Sequence, residues 1–148
     1  MITKGDLSLS KGKKRLANIT HRVYLSDGKL FWVQTLLEDR GAPDSMVDFA
    51  DSCVGGVMAT HLAIAWETGR IIGYWAATKE GSDVESMGTF VVGCRRRRGI
   101  GSGLWRFMTN KLGKVDAMGA TAVTAAGAGL LSSLQEDYST LVYDVALL

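Results

Sequence analysis

The most informative segment of this 148-residue chain is FVVGCRRRRGIGSGLW, residues 90–105. It opens with apolar residues typical of a buried strand and closes on the start of a helical pattern. Between them lie four arginines, Arg95 to Arg98, and glycines at positions 99, 101 and 103. Glycines let a backbone approach a ligand closely, and the first amides of a helix favour an anion. The segment therefore predicts a phosphate-binding turn between a strand and a helix.

Two common phosphate motifs do not fit this segment. A P-loop requires GxxxxGK[ST], which the sequence lacks. A dinucleotide fingerprint requires GxGxxG, but Leu104 stands where a third glycine should follow Gly99 and Gly101. The strand before the turn also ends a series of antiparallel hairpins rather than opening a βαβ unit. These features argue against a nicotinamide cofactor.

The net charge of +2 conceals a local concentration of positive charge. Residues 95–114 carry seven basic side chains and no acidic one, whereas residues 23–94 carry four basic and ten acidic ones. Taken alone, Arg95 to Arg98 could be a solvated charge run or a localisation signal. Their place between a strand and a helix favours a local anion site.

Composition predicts one soluble domain over residues 1–148, with a basic N-terminal extension at about 1–18. The chain is 47% hydrophobic, which is too apolar for a disordered protein. It has no apolar run of membrane-spanning length and no signal-peptide core, so we expect a cytoplasmic location and no membrane partner. Two cysteines and two histidines without metal-ligand spacing predict no metal site.

Apolar spacing predicts an α/β domain whose middle is an antiparallel meander. The expected strands are 19–25, 57–66, 71–78, 84–92, 120–126 and 140–148. The expected helices run from about Lys29 to Gly41, from Pro43 to about Cys53, from Ser102 onward, and over 130–136. Gly127 and Gly129 are expected to break the chain between the strand at 120–126 and the last helix.

The turn residues match a coenzyme A signature. Arg96-Arg97-Arg98-Gly99-Ile100-Gly101 fits [Q/R]xxGx[G/A], and the chain resembles the GCN5-related N-acetyltransferases, the GNAT superfamily. Val91 stands where the family's fourth strand has a valine, and the order of elements resembles the family over residues 19–148. The resemblance implies a GNAT fold, with a central, mostly antiparallel mixed sheet, splayed fourth and fifth strands, and about four flanking helices.

The resemblance also implies a site for acetyl-CoA as co-substrate in the gap between the splayed strands. The backbone of Val91, Val92 and Gly93 would pair with the pantetheine arm, and the amides from Arg97 to Ser102 would hold the pyrophosphate. The complete set of implied coenzyme A residues is Val91, Val92, Gly93, Arg96, Arg97, Arg98, Gly99, Ile100, Gly101, Ser102 and Gly103.

Two proton transfers need candidate residues. Glu85 is the candidate base: it is six residues before Val91 on one strand, so we expect both on one face, although Glu85 could also be a surface residue. Many relatives carry an acid in a pattern like YxxxGF, but here Ser133 replaces its tyrosine and Asp137 its glycine. Tyr138 is the candidate acid, with Tyr143 or a water as alternatives, and each tyrosine could instead be a packing aromatic.

The resemblance to this family implies direct transfer of acetyl to a primary amine in a ternary complex. Acidic residues over 38–51 favour a cationic acceptor, either a small amine or a protein lysine or N-terminus. The alternatives are a GNAT-like structural or regulatory protein and a nucleic-acid binder. The nucleic-acid binder would use Lys11 to Arg15 together with Arg95 to Arg98, and the lack of an aromatic platform disfavours it. His61 is expected to be a hydrogen-bonded core histidine. The last strand could pair across a homodimer.

Overall fold

The computed structural model of the protein describes residues 19–26, 28–52, 56–93 and 99–147. The elements in chain order are β1 (Ile19–Leu25), β2 (Phe31–Trp32), α1 (Val33–Asp39), α2 (Asp44–Asp51), β3 (Met58–Ala59), β4 (His61–Glu67), β5 (Arg70–Glu80), β6 (Asp83–Val91), α3 (Ile100–Leu112), β7 (Ala117–Ala122), α4 (Ala125–Asp137) and β8 (Leu141–Val145). None of these helices is long and apolar enough to cross a membrane.

Six of the strands form one mixed sheet in the order β1-β4-β5-β6-β7-β8. Strands β4, β5 and β6 pair antiparallel in sequence, which confirms the predicted meander. Strand β7 then pairs parallel with β6, and β8 parallel with β7. Parallel neighbours need crossover connections, which α3 and α4 provide. The predicted mixed sheet with flanking helices is therefore confirmed.

Helices cover both faces of this sheet. On one face, α1 and α2 bury Val33, Leu37, Met46 and Ala50. On the other, α3 and α4 bury Leu104, Trp105, Met108, Leu131 and Leu134. A strand covered on both faces needs apolar residues throughout rather than at alternate positions. Strand β5 accordingly is buried at every residue from Ile71 to Ala77.

Helix α1 begins later than the sequence pattern predicts. The predicted start near Lys29 is wrong, because β2 intervenes and pairs with β3. Trp32 keeps an extended backbone at the N-cap, and the helix starts at Val33. Leu30, which would face the core in a helix that started near Lys29, is 53% exposed. Asp27, which could cap such a helix, lies outside the described residues.

Helix α2 begins as predicted, whereas the strand predicted after it is divided. Helix α2 starts immediately after Pro43, as predicted, and ends at Asp51. Cys53, near its predicted end, lies outside the described residues. The strand predicted over 57–66 is divided into β3 and β4, which Thr60 separates.

Helix α4 begins earlier and is longer than predicted. Both Gly127 and Gly129 lie inside it, and β7 ends at Ala122 rather than at residue 126. Thr124 caps the helix, because its Oγ1 accepts the N–H of Gly127 at 3.0 Å. The cap and the buried apolar face outweigh the poor helix propensity of two glycines.

Strand β8 lies at one edge of the sheet in the described part of the chain. Its residues run over Leu141–Val145, which is shorter than the predicted 140–148, and Leu148 is not among the described residues. Val142 is 70% exposed and Leu147 is 61% exposed. A homodimer formed through this strand stays a prediction.

Candidate functional site

Strands β6 and β7 separate along their length. They pair at Asp83–Ala117, Val84–Met118 and Glu85–Gly119, and the described pairing stops there. We call the gap between residues 86–91 of β6 and residues 120–122 of β7 the fork. Because the two strands are parallel, the fork opens toward the C-terminal ends of both strands. The predicted splaying of these two strands is present.

A β-bulge in β6 lies at the start of the fork. Ala76 of β5 pairs with Gly88 and Ala77 pairs with Ser86, so Met87 is an extra residue without a partner in this register. Gly88 has φ +127°, a conformation that L side chains rarely adopt. A bulge bends the strand that carries it, which accounts for the divergence of β6 from β7.

The N-terminus of α3 lies at the open end of the fork. The helix begins at Ile100, two residues before its predicted start at Ser102. A Cβ added to Gly101 would lie 4.0 Å from Val91 Cγ2 at the end of β6, and 3.3 Å from Leu130 Cδ2 of α4. Glycine at 101 therefore allows the first turn of α3 to approach both α4 and the fork.

The first turn of α3 is suited to an anion. Gly99 is the N-cap, with φ +79°, and it offers no side chain to bond the first amides. Gly103 N–H donates to Gly99 O at 2.9 Å, which leaves the amides of residues 100–102 without a partner inside the helix. The first turn has no acidic residue. The helix dipole therefore adds positive potential at this end.

Part of the predicted coenzyme A segment falls outside the described structure. Cys94 and the arginines Arg96, Arg97 and Arg98 are not among the described residues. The exposed Gly93 is described, and it lies between β6 and that gap. The electrostatic contribution of the arginines thus rests on sequence alone.

The backbone of Val92 does not act wholly as the resemblance implies. Its N–H donates to Ile72 O of β5 at 2.9 Å, so this amide is already engaged. In an antiparallel ladder, successive residues direct their peptide groups to opposite sides. The peptide groups of Val91 are consequently directed toward β7 and the fork.

Glu85 and Val91 lie on opposite faces of β6, and the expectation that they share one is wrong. The bulge at Met87 shifts the alternation of side chains. Ser86 and Thr89 therefore face the same side, where both hydroxyls accept hydrogen bonds from buried tryptophans. Val91 also faces that side, next to α3. Glu85 faces the side that α1 and α2 cover.

The carboxylate of Glu85 lies at the closed end of the fork. Glu85 pairs with Gly119 in the last parallel pair before the strands separate. A Cβ on Gly119 would lie 3.0 Å from Glu85 Oε1 and 3.2 Å from Oε2. The missing side chain at position 119 thus makes room for the carboxylate over β7. Glu85 is exposed, so an incoming amine can reach it.

Tyr138 lies at the other end of the α3–α4 pair. It follows the last residue of α4, and its hydroxyl is 3.2 Å from Thr109 Oγ1 of α3. Leu130, eight residues earlier, has its side chain 3.3 Å from where a Cβ on Gly101 would lie, at the first turn of α3. Eight residues correspond to about 12 Å of helix. The structure does not bring Tyr138 to the first turn of α3, and its role as acid stays a prediction.

The residues that depart from the family pattern lie on α4, and the alternative acid Tyr143 lies on β8. Ser133 and Asp137, which replace the tyrosine and glycine of the family pattern, are exposed on α4. Tyr143 is half-buried on β8 and packs against the core under α3 and α4.

His61 is hydrogen-bonded, as predicted, but it is half-buried rather than part of the core. Its Nδ1 lies 2.8 Å from Thr60 Oγ1, and the same oxygen accepts the backbone N–H of Lys79 at 2.9 Å. Burial, followed by the charge of Lys79, lowers the pKa of His61 below its usual 6.5. This shift favours the neutral form of the ring. His61 is on β4, two strands away from the fork.

Helices α1 and α2 present acidic side chains on the side of the sheet that Glu85 faces. All five acidic residues of the segment 38–51 are exposed: Glu38, Asp39, Asp44, Asp48 and Asp51. The one basic residue of this segment, Arg40, places its guanidinium carbon 4.7 Å from the centre of the Tyr24 ring. The potential of this surface is therefore negative. No cluster of ligand residues suited to a metal ion occurs in the described part of the chain.

Sequence reasoning missed Ser86 and Thr89. Their hydroxyls accept from Trp75 and Trp105, and the two bonds are possible together because of the bulge. The sequence offered one signal, because Ser86 and Thr89 are three residues apart on either side of Met87-Gly88. In a regular strand, two residues at this spacing would lie on opposite faces.

Comparison with solved structures identifies the fold. The chain is similar to a proposed acetyltransferase from Deinococcus radiodurans R1, with 20% identity over 80% of this chain and 82% of that chain, and a TM-score of 0.53. A GNAT-family acetyltransferase from Streptococcus pneumoniae TIGR4 gives 19% identity over 81% of this chain and 91% of that chain, and a TM-score of 0.52. No protein-family model and no curated protein matches the sequence significantly. The chain has the GNAT fold.

Proposed function

We propose that the protein is a member of the GNAT superfamily and transfers an acetyl group from acetyl-CoA to a primary amine. The observation that carries this proposal is the fork between β6 and β7, with the N-terminus of α3 at its open end. Both solved structures described above are named as acetyltransferases, which supports acetyl transfer as the class of reaction.

The geometry fits acetyl-CoA in two places. The amides of residues 100–102, at the start of α3, suit a pyrophosphate, and no described side chain lies within 4 Å of a Cβ added to Gly99. The side of β6 that faces the fork suits the extended pantetheine arm, which would lie along the strand as a peptide does in β-augmentation. Arg96 to Arg98 would add charge-assisted contacts to phosphate oxygens.

The transfer then requires an attack on the thioester carbon. The amine nitrogen forms the new C–N bond, the C–S bond breaks, and the sulfur leaves as a thiolate. Glu85 accepts the proton that the amine loses, because its carboxylate is exposed at the closed end of the fork. Tyr138, or a water, returns a proton to the thiolate. Holding both reactants together supplies much of the rate.

The acceptor is proposed to be a cationic amine, either a small molecule or a protein lysine or N-terminus. The exposed acidic side chains over 38–51 give the α1–α2 surface a negative potential. Such a surface attracts a protonated amine and raises its local concentration. Glu85 faces the same side of the sheet, so the amine would meet its base there.

The test is release of free coenzyme A thiol with a panel of primary amines. Wild-type protein should release thiol only when both acetyl-CoA and an amine are present. Glu85→Gln should lower kcat by about a hundredfold or more, because it removes the base but keeps the shape. Raising the pH should restore part of the rate, since more amine is then already deprotonated. Glu136→Gln, an exposed carboxylate on α4, is the matched control.

One observation favours a second candidate, a GNAT-like structural or regulatory protein with weak or no catalysis. The hydroxyl of Tyr138 is bonded to Thr109 at the far end of α4, and Ser133 replaces the tyrosine of the family pattern. This candidate predicts acetyl-CoA binding without amine-dependent thiol release. Turnover by the wild type that Glu85→Gln removes would exclude it.

A further inference from the structure

Two tryptophans stack in the core on the side of β6 that α3 and α4 cover. Trp75 comes from β5 and Trp105 from α3, and both are fully buried. Their ring centroids are 3.9 Å apart and their planes differ by 11°. Two large rings stacked in a close-packed core have little freedom to shift. We call this pair the tryptophan clamp.

Each indole of the clamp donates a hydrogen bond to β6. Trp75 Nε1 donates to Ser86 Oγ at 2.8 Å, and Trp105 Nε1 donates to Thr89 Oγ1 at 2.9 Å. The two acceptors are on either side of the bulge. The clamp therefore contacts β6 immediately before and immediately after the point where the strand bends away from β7.

The two bonds can form together only when β6 is bulged. In a regular strand, residues three apart face opposite sides, so one of the two hydroxyls would be directed away from the clamp. Its indole N–H would then be buried without an acceptor, which is unfavourable. The extra residue Met87 restores both hydroxyls to one face. The clamp and the bulge thus require each other.

We propose that the tryptophan clamp positions the bulge of β6 and thereby holds the fork open. Trp75, Trp105, Ser86 and Thr89 are positioning residues: none is required to touch a substrate, and they act through the backbone of residues 86–91. The identity of the fork's occupant rests on the proposed function. The contribution of the clamp to the geometry of β6 does not.

The central variant is Thr89→Val, which keeps the shape of the side chain and removes the acceptor of Trp105. Thr89→Ser is its matched partner, since it keeps the hydroxyl and loses the methyl group. The first readout is hydrogen–deuterium exchange of residues 86–91 in the protein without ligand. We expect about tenfold faster exchange in Thr89→Val, because a local opening of β6 becomes easier. Thr89→Ser should exchange like the wild type.

The second readout is the Kd for acetyl-CoA. Thr89→Val and Trp105→Phe should each weaken binding by about tenfold, and the double variant by about tenfold rather than a hundredfold, because both remove the same hydrogen bond. Thr20→Val and Trp66→Phe form the control cycle. These two residues are paired across β1 and β4, away from the fork, and should leave Kd unchanged.

The outcomes separate the two proposals. Unchanged exchange of residues 86–91 in Thr89→Val would overturn the clamp, whatever acetyl-CoA does. Equal effects of Thr89→Ser and Thr89→Val would also overturn it, since the methyl group and not the hydroxyl would then matter. Faster exchange in Thr89→Val, rescued by Thr89→Ser, together with no acetyl-CoA binding by the wild type would support the clamp and reject the proposed function.

Discussion

At the scale of single residues, the environment of Glu85 depends on the lack of a side chain at Gly119. The carboxylate lies over β7 in space that a Cβ on Gly119 would occupy, 3.0 Å from Oε1. A side chain there must move the carboxylate, which is the flexible partner. Gly119 is not among the residues with positive φ, so its backbone accepts alanine without strain. Position 119 therefore controls where the proposed base lies, without contributing a chemical group.

Gly119→Ala should lower kcat several-fold and leave the Kd for acetyl-CoA nearly unchanged, because it displaces the carboxylate and leaves the start of α3 intact. A general base needs hydrogen-bond reach to its proton, so a small shift is costly. Thiol release and calorimetric titration measure the two constants. Gly129→Ala, on α4 with no described atom within 4 Å of its added Cβ, is the control and should leave both unchanged. If Gly119→Ala raised the Kd by the same factor by which it lowered kcat, this role of Gly119 would be contradicted.

The bulge also shows why residue-level prediction from the sequence failed at one point. Counting positions along a regular strand places Glu85 and Val91 on one face. The extra residue at Met87 breaks the count, and it is stabilised by tryptophans from β5 and α3 that are distant in sequence. The presence of the strand could be predicted from its local pattern, whereas the face of the strand on which Glu85 lies depended on tertiary contacts.

At the scale of elements, two helix N-termini are built differently. Helix α3 starts at Gly99 without a side-chain cap, whereas α4 starts at Thr124, whose hydroxyl accepts the N–H of Gly127. An uncapped terminus is less stable and leaves its amides for a ligand. A capped terminus serves stability. The start of α3 was predicted to within two residues, because its glycines and its apolar spacing both indicate a helix there. The start of α4 was misplaced, because Gly127 and Gly129 were interpreted as breaks although they lie inside the helix.

Thr124→Ala should lower the free energy of unfolding by about 1 kcal/mol, the usual cost of a lost N-cap. Urea denaturation followed by circular dichroism measures it. Thr140→Ala, an exposed threonine in the turn before β8, is the control and should change the free energy by less than about 0.5 kcal/mol. An equal effect of the two substitutions would show that the Thr124 hydroxyl contributes no cap.

At the scale of the whole molecule, the architecture was largely predictable from the sequence. The order of strands and helices and the meander follow from apolar spacing, whereas the splayed pair follows from the resemblance of the glycine-rich turn to the GNAT coenzyme A signature. Two features were not predictable from local pattern. The split of the strand at 57–66 and the late start of α1 both depend on the pairing of β2 with β3. That pairing joins segments more than twenty residues apart and leaves no periodic signal.

The central claim is that acetyl-CoA binds with its pyrophosphate at the first turn of α3. The most direct measurement is calorimetric titration of acetyl-CoA into Gly99→Glu, compared with Gly28→Glu and the wild type. Gly28 and Gly99 share φ +79°, and neither has a described atom within 4 Å of an added Cβ, so both variants carry the same strain and charge. We predict saturable binding by the wild type and Gly28→Glu, and none by Gly99→Glu. Equal binding by the two variants, or no binding by the wild type, would contradict the claim.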